Sequence, residues 1–285
     1  DVGARYYTYI YTMAYCLEAC AQAGIPVIVC DRPNPLDGVT LEGPLLQKEW
    51  ASFVGRYPLP VRHGMTAGEL ACWWTEQNGW PLELTVLPAR HWRREMYFDR
   101  CGLPWAPPSP NMPTLDTAIV YPGGCLIEGT NLSEGRGTTR PFETIGAPWL
   151  DGRRLAATLN EHEMPGVVFR PISFMPTFHK FAGEPCGGVF VHVTARRRFQ
   201  PFRSYVELIA AVRKLHPNHF TWRTEPYEFV ADRLAIDLLC GSDRVRRHLE
   251  EGGDVAALTT EWERDTADFT TKRRGHLLAE YAPAE

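Results

Sequence analysis

Tyr6 to Ala23 is apolar on nearly all sides and stops at Gly24. The next residues, Ile25 to Cys30, form a β-branched run that ends in the polar string Asp31-Arg32-Pro33-Asn34-Pro35-Leu36-Asp37-Gly38. Few folds accept that order. A buried helix closed by a glycine, a short apolar strand and a polar loop together describe half of a doubly wound α/β unit built on a parallel sheet.

The rest of the chain supports the same class. Thr66 to Asn78 predicts a second helix with Thr66 as its N-cap and Glu69 at the capping-box position. Leu82–Leu87 and Thr117–Tyr121 are expected as strands. After Trp149 the character changes. A helix is expected from Leu155, strands over Val167–Phe174 and Gly188–Thr194, and an amphipathic helix over Phe202–Leu215. The stretch from Asp232 to Leu278 reads as largely helical, with Ser242 and Asp254 as N-caps and Gly241 and Gly252 as breaks. The expectation is therefore an α/β protein: a Rossmann-like, mostly parallel sheet domain over residues 1–148, followed by a smaller mixed α/β domain over 149–285. Three strands in the first part fall short of the five or six usual in an open sheet. The sequence thus predicts that the Rossmann-like domain is incomplete on its N-terminal side.

Composition narrows the function classes. With 44% hydrophobic residues, 22% charged and a formal charge of -4, the chain lacks the concentrated basic surface that a nucleic-acid partner needs. No stretch reaches the roughly 18 to 20 apolar residues that span a bilayer. The eight cysteines show no paired zinc spacing, and HExxH, CxxC, GxSxG, Walker and GxGxxG patterns are absent from the sequence. No metal or other cofactor is therefore expected.

The polar chemistry concentrates in four loops: Asp1 to Arg5, Asp31 to Glu42, Glu128 to Glu143 and Pro176 to Cys186. The third, EGTNLSEGRGTTRPFE, crowds three carboxylates, two arginines, an amide and four hydroxyls into sixteen residues. It is expected as an exposed loop projected from the strand at 117–121. If the sheet is parallel, such loops gather at one carboxyl edge, where α/β domains bind ligands. Arg5, Tyr7, Asp31, Arg32, Asn34, Glu42, Asn131, Arg136 and Arg140 are the candidate substrate-binding residues. Carboxylates and amides suit sugar hydroxyls, and an arginine fork suits a carboxylate. Cleaving a glycosidic bond needs a carboxylic acid and usually a second carboxylate. Glu128 and Glu134 are the leading candidates, with Asp31, Glu42 and Glu143 also available, and His179 is a candidate proton carrier or hydrogen-bond donor. The alternatives are an ion-pair network that merely pins a long loop and an ordinary loop histidine.

The strings DRPNPLDG, LEGP, YPLPVRHGMTAGELA, PPSPNMPTLDTA, EGTNLSEGRGTTRPFE and PTFHKFAGEPCGG, in that order, resemble the NamZ-type exo-β-N-acetylmuramidases from Asp1 nearly to Leu278. The resemblance implies a Rossmann-like N-terminal domain, a smaller C-terminal domain and a cleft between them. It also implies release of N-acetylmuramic acid from the non-reducing end of peptidoglycan fragments such as MurNAc-GlcNAc, outside the cytoplasm, in the periplasm or as a secreted protein. The lactyl carboxylate of that sugar would account for the arginines. Family members carry a Glu-His-Gly stretch, with a presumed catalytic glutamate, ahead of the segment matching DVGARYYTY. Nothing here matches it, so the resemblance implies an N-terminally truncated member. A non-catalytic muropeptide or sugar-binding module is the alternative, and a nucleotide-sugar enzyme a weaker one.

Overall fold

The computed structural model describes residues 1–282 and divides into two units, residues 1–106 with the segment from Glu263 onward, and residues 107–262. The expected boundary near Pro148 is corrected, and the second unit is the larger. Strand β3 (Thr144–Ala147) pairs antiparallel with β5 (Cys186–Val193), so a cut at 148 would sever a sheet.

In the first unit, helix α1 (Tyr9–Ala23) ends at Gly24, whose left-handed φ of +66° lets its N–H reach the carbonyls of Ala21 and Cys20. Strand β1 (Val27–Cys30) follows and pairs in parallel with β2 (Leu84–Leu87), Val27 opposite Leu84 and Cys30 opposite Leu87. Helix α2 (Ala67–Gln77) lies between them in sequence. The expected capping box is present: Thr66 Oγ1 accepts from Glu69 N and Glu69 Oε2 accepts from Thr66 N. The core gathers Ile10, Tyr11, Ala14, Leu59, Met65, Leu70, Trp73, Trp74 and Phe269. Burial of a side chain such as Leu70 or Phe269 stabilises by about 1.5–3 kcal/mol. Helix α1 is not the all-round buried helix expected. Ile10, Tyr11, Ala14, Leu17 and Ala21 face inward, whereas Tyr9 and Tyr15 are exposed. The alternate residues of β1 are exposed as well, Ile28 among them.

The second unit holds α3 (Leu115–Gly124), β3, α4 (Gly152–Glu161), β4 (Val167–Phe174), β5, α5 (Pro201–Leu215), α6 (Ala235–Cys240) and α7 (Arg244–Glu250). Helix α8 (Val255–Arg273) begins in it and ends in the first unit. The sheet order is β3-β5-β4, wholly antiparallel, with Val167 opposite Val193 and Phe174 opposite Cys186. Residues 117–121, expected as a strand, lie inside α3. Thr114 Oγ1 accepts from Thr117 N to cap that helix, and Thr117 to Gly124 are buried on every side. A short run that is buried all round carries no period to separate helix from strand. Helix α7 follows Asp243, one residue after the expected cap, and Asp254 Oδ1 accepts from Ala256 N at the start of α8. Among the described residues no helix is long and apolar enough to cross a membrane.

Candidate functional site

The polar run 128–143 is not an exposed loop. Residues Cys125–Gly129 continue α3 as a 3-10 turn, and the chain then folds back into β3, leaving most of the run buried and Glu134 0% exposed. Burying such a segment is tolerable only if its charges are matched. They are. Arg136 Nη2 donates to Glu128 Oε1 at 2.6 Å, and its Nε stands 3.1 Å from Glu134 Oε1. The hydroxyl of Tyr227, ninety-nine positions along the chain, donates to Glu128 Oε2 at 2.8 Å.

The fourth loop closes over this network. Gly137 has φ +82°, and a Cβ there would stand 2.6 Å from Phe178 N, so only glycine lets the two loops approach. Thr177 then donates to Gly137 O through both its backbone N–H and its hydroxyl, each at 2.9 Å. Lys180 Nζ donates to the carbonyls of Thr130 and Leu132 at 2.9 Å and Ile127 at 3.2 Å, and lies 3.1 Å from Glu134 Oε2. On either side of this pin, His179 (φ +70°) and Phe181 (φ +58°) adopt left-handed backbone that costs non-glycine residues of order 1–3 kcal/mol, a feature that clusters at functional sites.

His179 Nδ1 lies 3.1 Å from Glu134 Oε1, while the imidazole side chain is 45% exposed. Burial alone would raise the Glu134 carboxyl, but the His179 hydrogen bond and the Lys180 charge outweigh it and hold the group down at about 2. Glu134 is thus wholly covered and favoured in its ionised form. Its Oε1 faces Arg136 Nε and His179 Nδ1, each at 3.1 Å, and its Oε2 faces Lys180 Nζ at 3.1 Å. Glu128 is similarly engaged, its two oxygens taken by Arg136 and Tyr227.

The other expected site residues separate by unit. In the first, Arg5 is 0% exposed and donates to the carbonyls of Pro44 and Leu59 at 2.7 Å, stapling two loops. Asp31, just past β1, accepts from Thr66 Oγ1 (2.6 Å), Gly68 N (2.7 Å) and Tyr281 OH (2.8 Å). Asn34 bridges Met65 O and Leu36 N. These polar atoms are committed to holding the loops. Tyr7 is buried, Arg32 is exposed, and Glu42 exchanges backbone hydrogen bonds with Arg62. In the second unit, the Asn131 amide donates to His219 O and accepts from Thr221 N. Arg140, half-exposed, reaches Glu143 at 3.4 Å and Asp116 at 3.8 Å.

Two cavities of the second unit carry these residues. One, about 490 Å³, is lined by Asp116, Arg140, Glu143, His192 and Arg196 among others. There burial raises the Glu143 carboxyl, against the Thr117 hydroxyl and the Arg140 charge. The other, about 430 Å³, opens beside the buried ion network and is lined by Thr130, Asn131, His179, Phe181, Trp222 and Arg223 among others. Lys180, Tyr227, Trp222 and Arg223 were not among the candidates. Lys180 follows His179 directly, but no sequence signal links Tyr227 to Glu128. Among the described residues no group of three or more His, Cys, Asp or Glu is placed to hold a metal ion.

Comparison with known proteins bears on what this arrangement serves. Residues 1–116 match the family model for the N-terminal part of exo-β-N-acetylmuramidase NamZ, and residues 119–278 match its C-terminal model. The peptidoglycan β-N-acetylmuramidase NamZ of Bacillus subtilis (strain 168) is 46% identical over 278 residues, covering 98% of this chain and 65% of that protein. The chain thus spans just under two thirds of that relative. Two crystal structures of DUF1343 family proteins from Bacteroides fragilis NCTC 9343 share the fold. One has a TM-score of 0.88 at 30% identity, covering 98% of this chain and 72% of its own. The other has a TM-score of 0.73 at 29% identity, covering 100% and 74%.

Proposed function

Since the chain belongs to the exo-β-N-acetylmuramidase NamZ family, we propose that it works as, or as the larger part of, a glycoside hydrolase that releases N-acetylmuramic acid from the non-reducing end of peptidoglycan fragments. The observation that carries this reading is the 46% identity that extends over 98% of the chain, through both units. Its saccharide partners would be MurNAc-GlcNAc and longer muropeptide glycans, its place of work the periplasm or the cell exterior, and its role cell-wall turnover. The first unit, with β1, α2 and β2 in parallel βαβ order, fits a portion of a Rossmann-like domain.

Within this reading Glu128 and Glu134 form the charged frame of the site rather than its reacting acid, and His179 is more open to solvent than Arg136 or Lys180. The commitment of both glutamates to cations and to Tyr227 also favours the second reading, a module that binds muramic-acid saccharides without cleaving them. The test is chromatographic release of N-acetylmuramic acid from MurNAc-GlcNAc by the 285-residue chain and by the full-length product of its gene. Release by either supports the hydrolase. Calorimetric binding with no release by either supports the binding module, and neither binding nor release refutes both.

A further inference from the structure

The 430 Å³ cavity of the second unit is built from three segments that are locked to one another. Residues 129–131 pair with 221–223 through Asn131 N to Thr221 O (3.1 Å) and Arg223 N to Gly129 O (2.9 Å). The Asn131 side-chain amide adds a bond in each direction, to His219 O at 2.8 Å and from Thr221 N at 3.1 Å. The loop at 179–181 is fastened to the same segment by Lys180, whose ammonium sits among the carbonyls of Ile127, Thr130 and Leu132. A wall so fixed loses little conformational entropy when a ligand enters, which is the main route to useful affinity for a small polar molecule.

The lining has a definite chemistry. Phe181 and Trp222 supply aromatic surface. The indole is itself immobilised, its Nε1–H donating to Glu250 at 2.8 Å and the Arg213 guanidinium lying 5.7 Å from its ring. Fixed aromatic rings suit the apolar face of a pyranose. The polar groups are mostly donors. His179 Nε2 has no protein partner among the described residues, because Glu134 takes the Nδ1 side. Arg223 contributes a guanidinium held by Pro226 O at 3.1 Å and stacked 5.2 Å over Tyr227. The negative charge of Glu134 beside His179 is offset by Arg136 and Lys180. Glu225 also lines the cavity, its side chain 73% exposed and 3.9 Å from Arg223 Nε. A volume near 430 Å³ is at the lower end of the range for small-molecule sites and fits one monosaccharide.

We infer that this cavity is a subsite for a carboxylate-bearing pyranose, with the sugar face on Trp222 and Phe181 and the carboxylate between Arg223 and His179, the latter held in position by Glu134. The assignment rests on the muramidase reading for the identity of the acid sugar, and adds where in this chain that sugar is held.

The test uses the 285-residue chain titrated with N-acetylmuramic acid and, separately, with N-acetylglucosamine, which lacks the lactyl carboxylate. Calorimetry gives affinities, and histidine imidazole NMR correlations report on His179. N-acetylmuramic acid is expected to shift the His179 signals saturably and to bind about tenfold or more tightly than N-acetylglucosamine, the value of one charge-assisted hydrogen bond. Arg223→Gln removes about that tenfold preference and leaves N-acetylglucosamine binding unchanged; Trp222→Leu weakens both sugars. Thermal melting confirms that the variants are folded. Equal affinity for the two sugars, or no binding to the chain, overturns the subsite. Binding of N-acetylmuramic acid that leaves His179 unmoved and ignores Arg223→Gln also overturns it, while the muramidase reading stands. The muramidase reading fails separately, if the full-length gene product releases no N-acetylmuramic acid.

Discussion

Replacing Glu134 by glutamine isolates what the buried charge contributes. The side chain is 0% exposed and meets the Arg136 and Lys180 cations and the His179 imidazole, with its carboxyl held at about 2 against an ordinary 4.5. A carboxyl lowered on folding stabilises the protein above its unfolded value and loses that stabilisation as pH falls through its folded value. The difference corresponds to about 3 kcal/mol at neutral pH. Removing one partner of a buried pair generally costs about 3–5 kcal/mol. Here the lower figure is expected, because Lys180 keeps three carbonyls and Arg136 keeps Glu128. For a unit of this size that is a loss of roughly 6–12 °C in Tm. Thermal melts of wild type and Glu134→Gln from pH 7 to pH 3 measure it. The gap should be full at pH 7, begin to close below pH 4.5 and fall to less than half by pH 3. A gap under about 1 kcal/mol at pH 7, or one that does not narrow towards pH 3, would refute the assignment of Glu134 as an ionised keystone.

Three further outcomes follow from the same geometry. Gly137→Ala places a Cβ 2.6 Å from Phe178 N on left-handed backbone, and should lower stability by at least about 2 kcal/mol and loosen the 176–186 loop, read by limited proteolysis; an unchanged melting point would contradict it. Thr66→Ala removes both the cap of α2 and a donor to buried Asp31, for a loss of about 2 kcal/mol in denaturant titration, whereas Thr66→Ser should retain most of it. His63, wholly buried, is pushed down to about 3 first by desolvation and then by the Arg273 charge. The unfolded chain therefore binds a proton that the folded protein refuses, and stability drops as pH falls below about 6.5, by about 2 kcal/mol at pH 5. His63→Gln should flatten that slope, and an equally steep decline in the variant would rule the histidine out as its source.

Much of the fold was legible locally. Gly24 ends α1, Thr66 and Glu69 form their capping box, and β4 covers the expected Val167–Phe174, because caps and alternating burial are short-range and leave their mark on neighbouring residues. The failures share a cause. Residues 117–121 and the outer face of α1 escape a local reading because an apolar run does not say how much of it will be covered, and that depends on partners distant in sequence. The 128–143 run looks solvated in sequence for the mirror-image reason: its charges are met by Tyr227, His179 and Lys180, none of which is local.

By itself the sequence determined the α/β class, the family, and which residue types were available for a polar site, since motif strings, capping and composition are one-dimensional properties. Tertiary structure decided what those residues do. Asp31, Asn34 and Arg5 became loop fasteners, Glu134 became the buried counter-charge of Arg136 and Lys180, and His179 was left lining a cavity. The physical reason is that a carboxylate's role is set by its burial and its charge partners, and both are created only when distant segments meet.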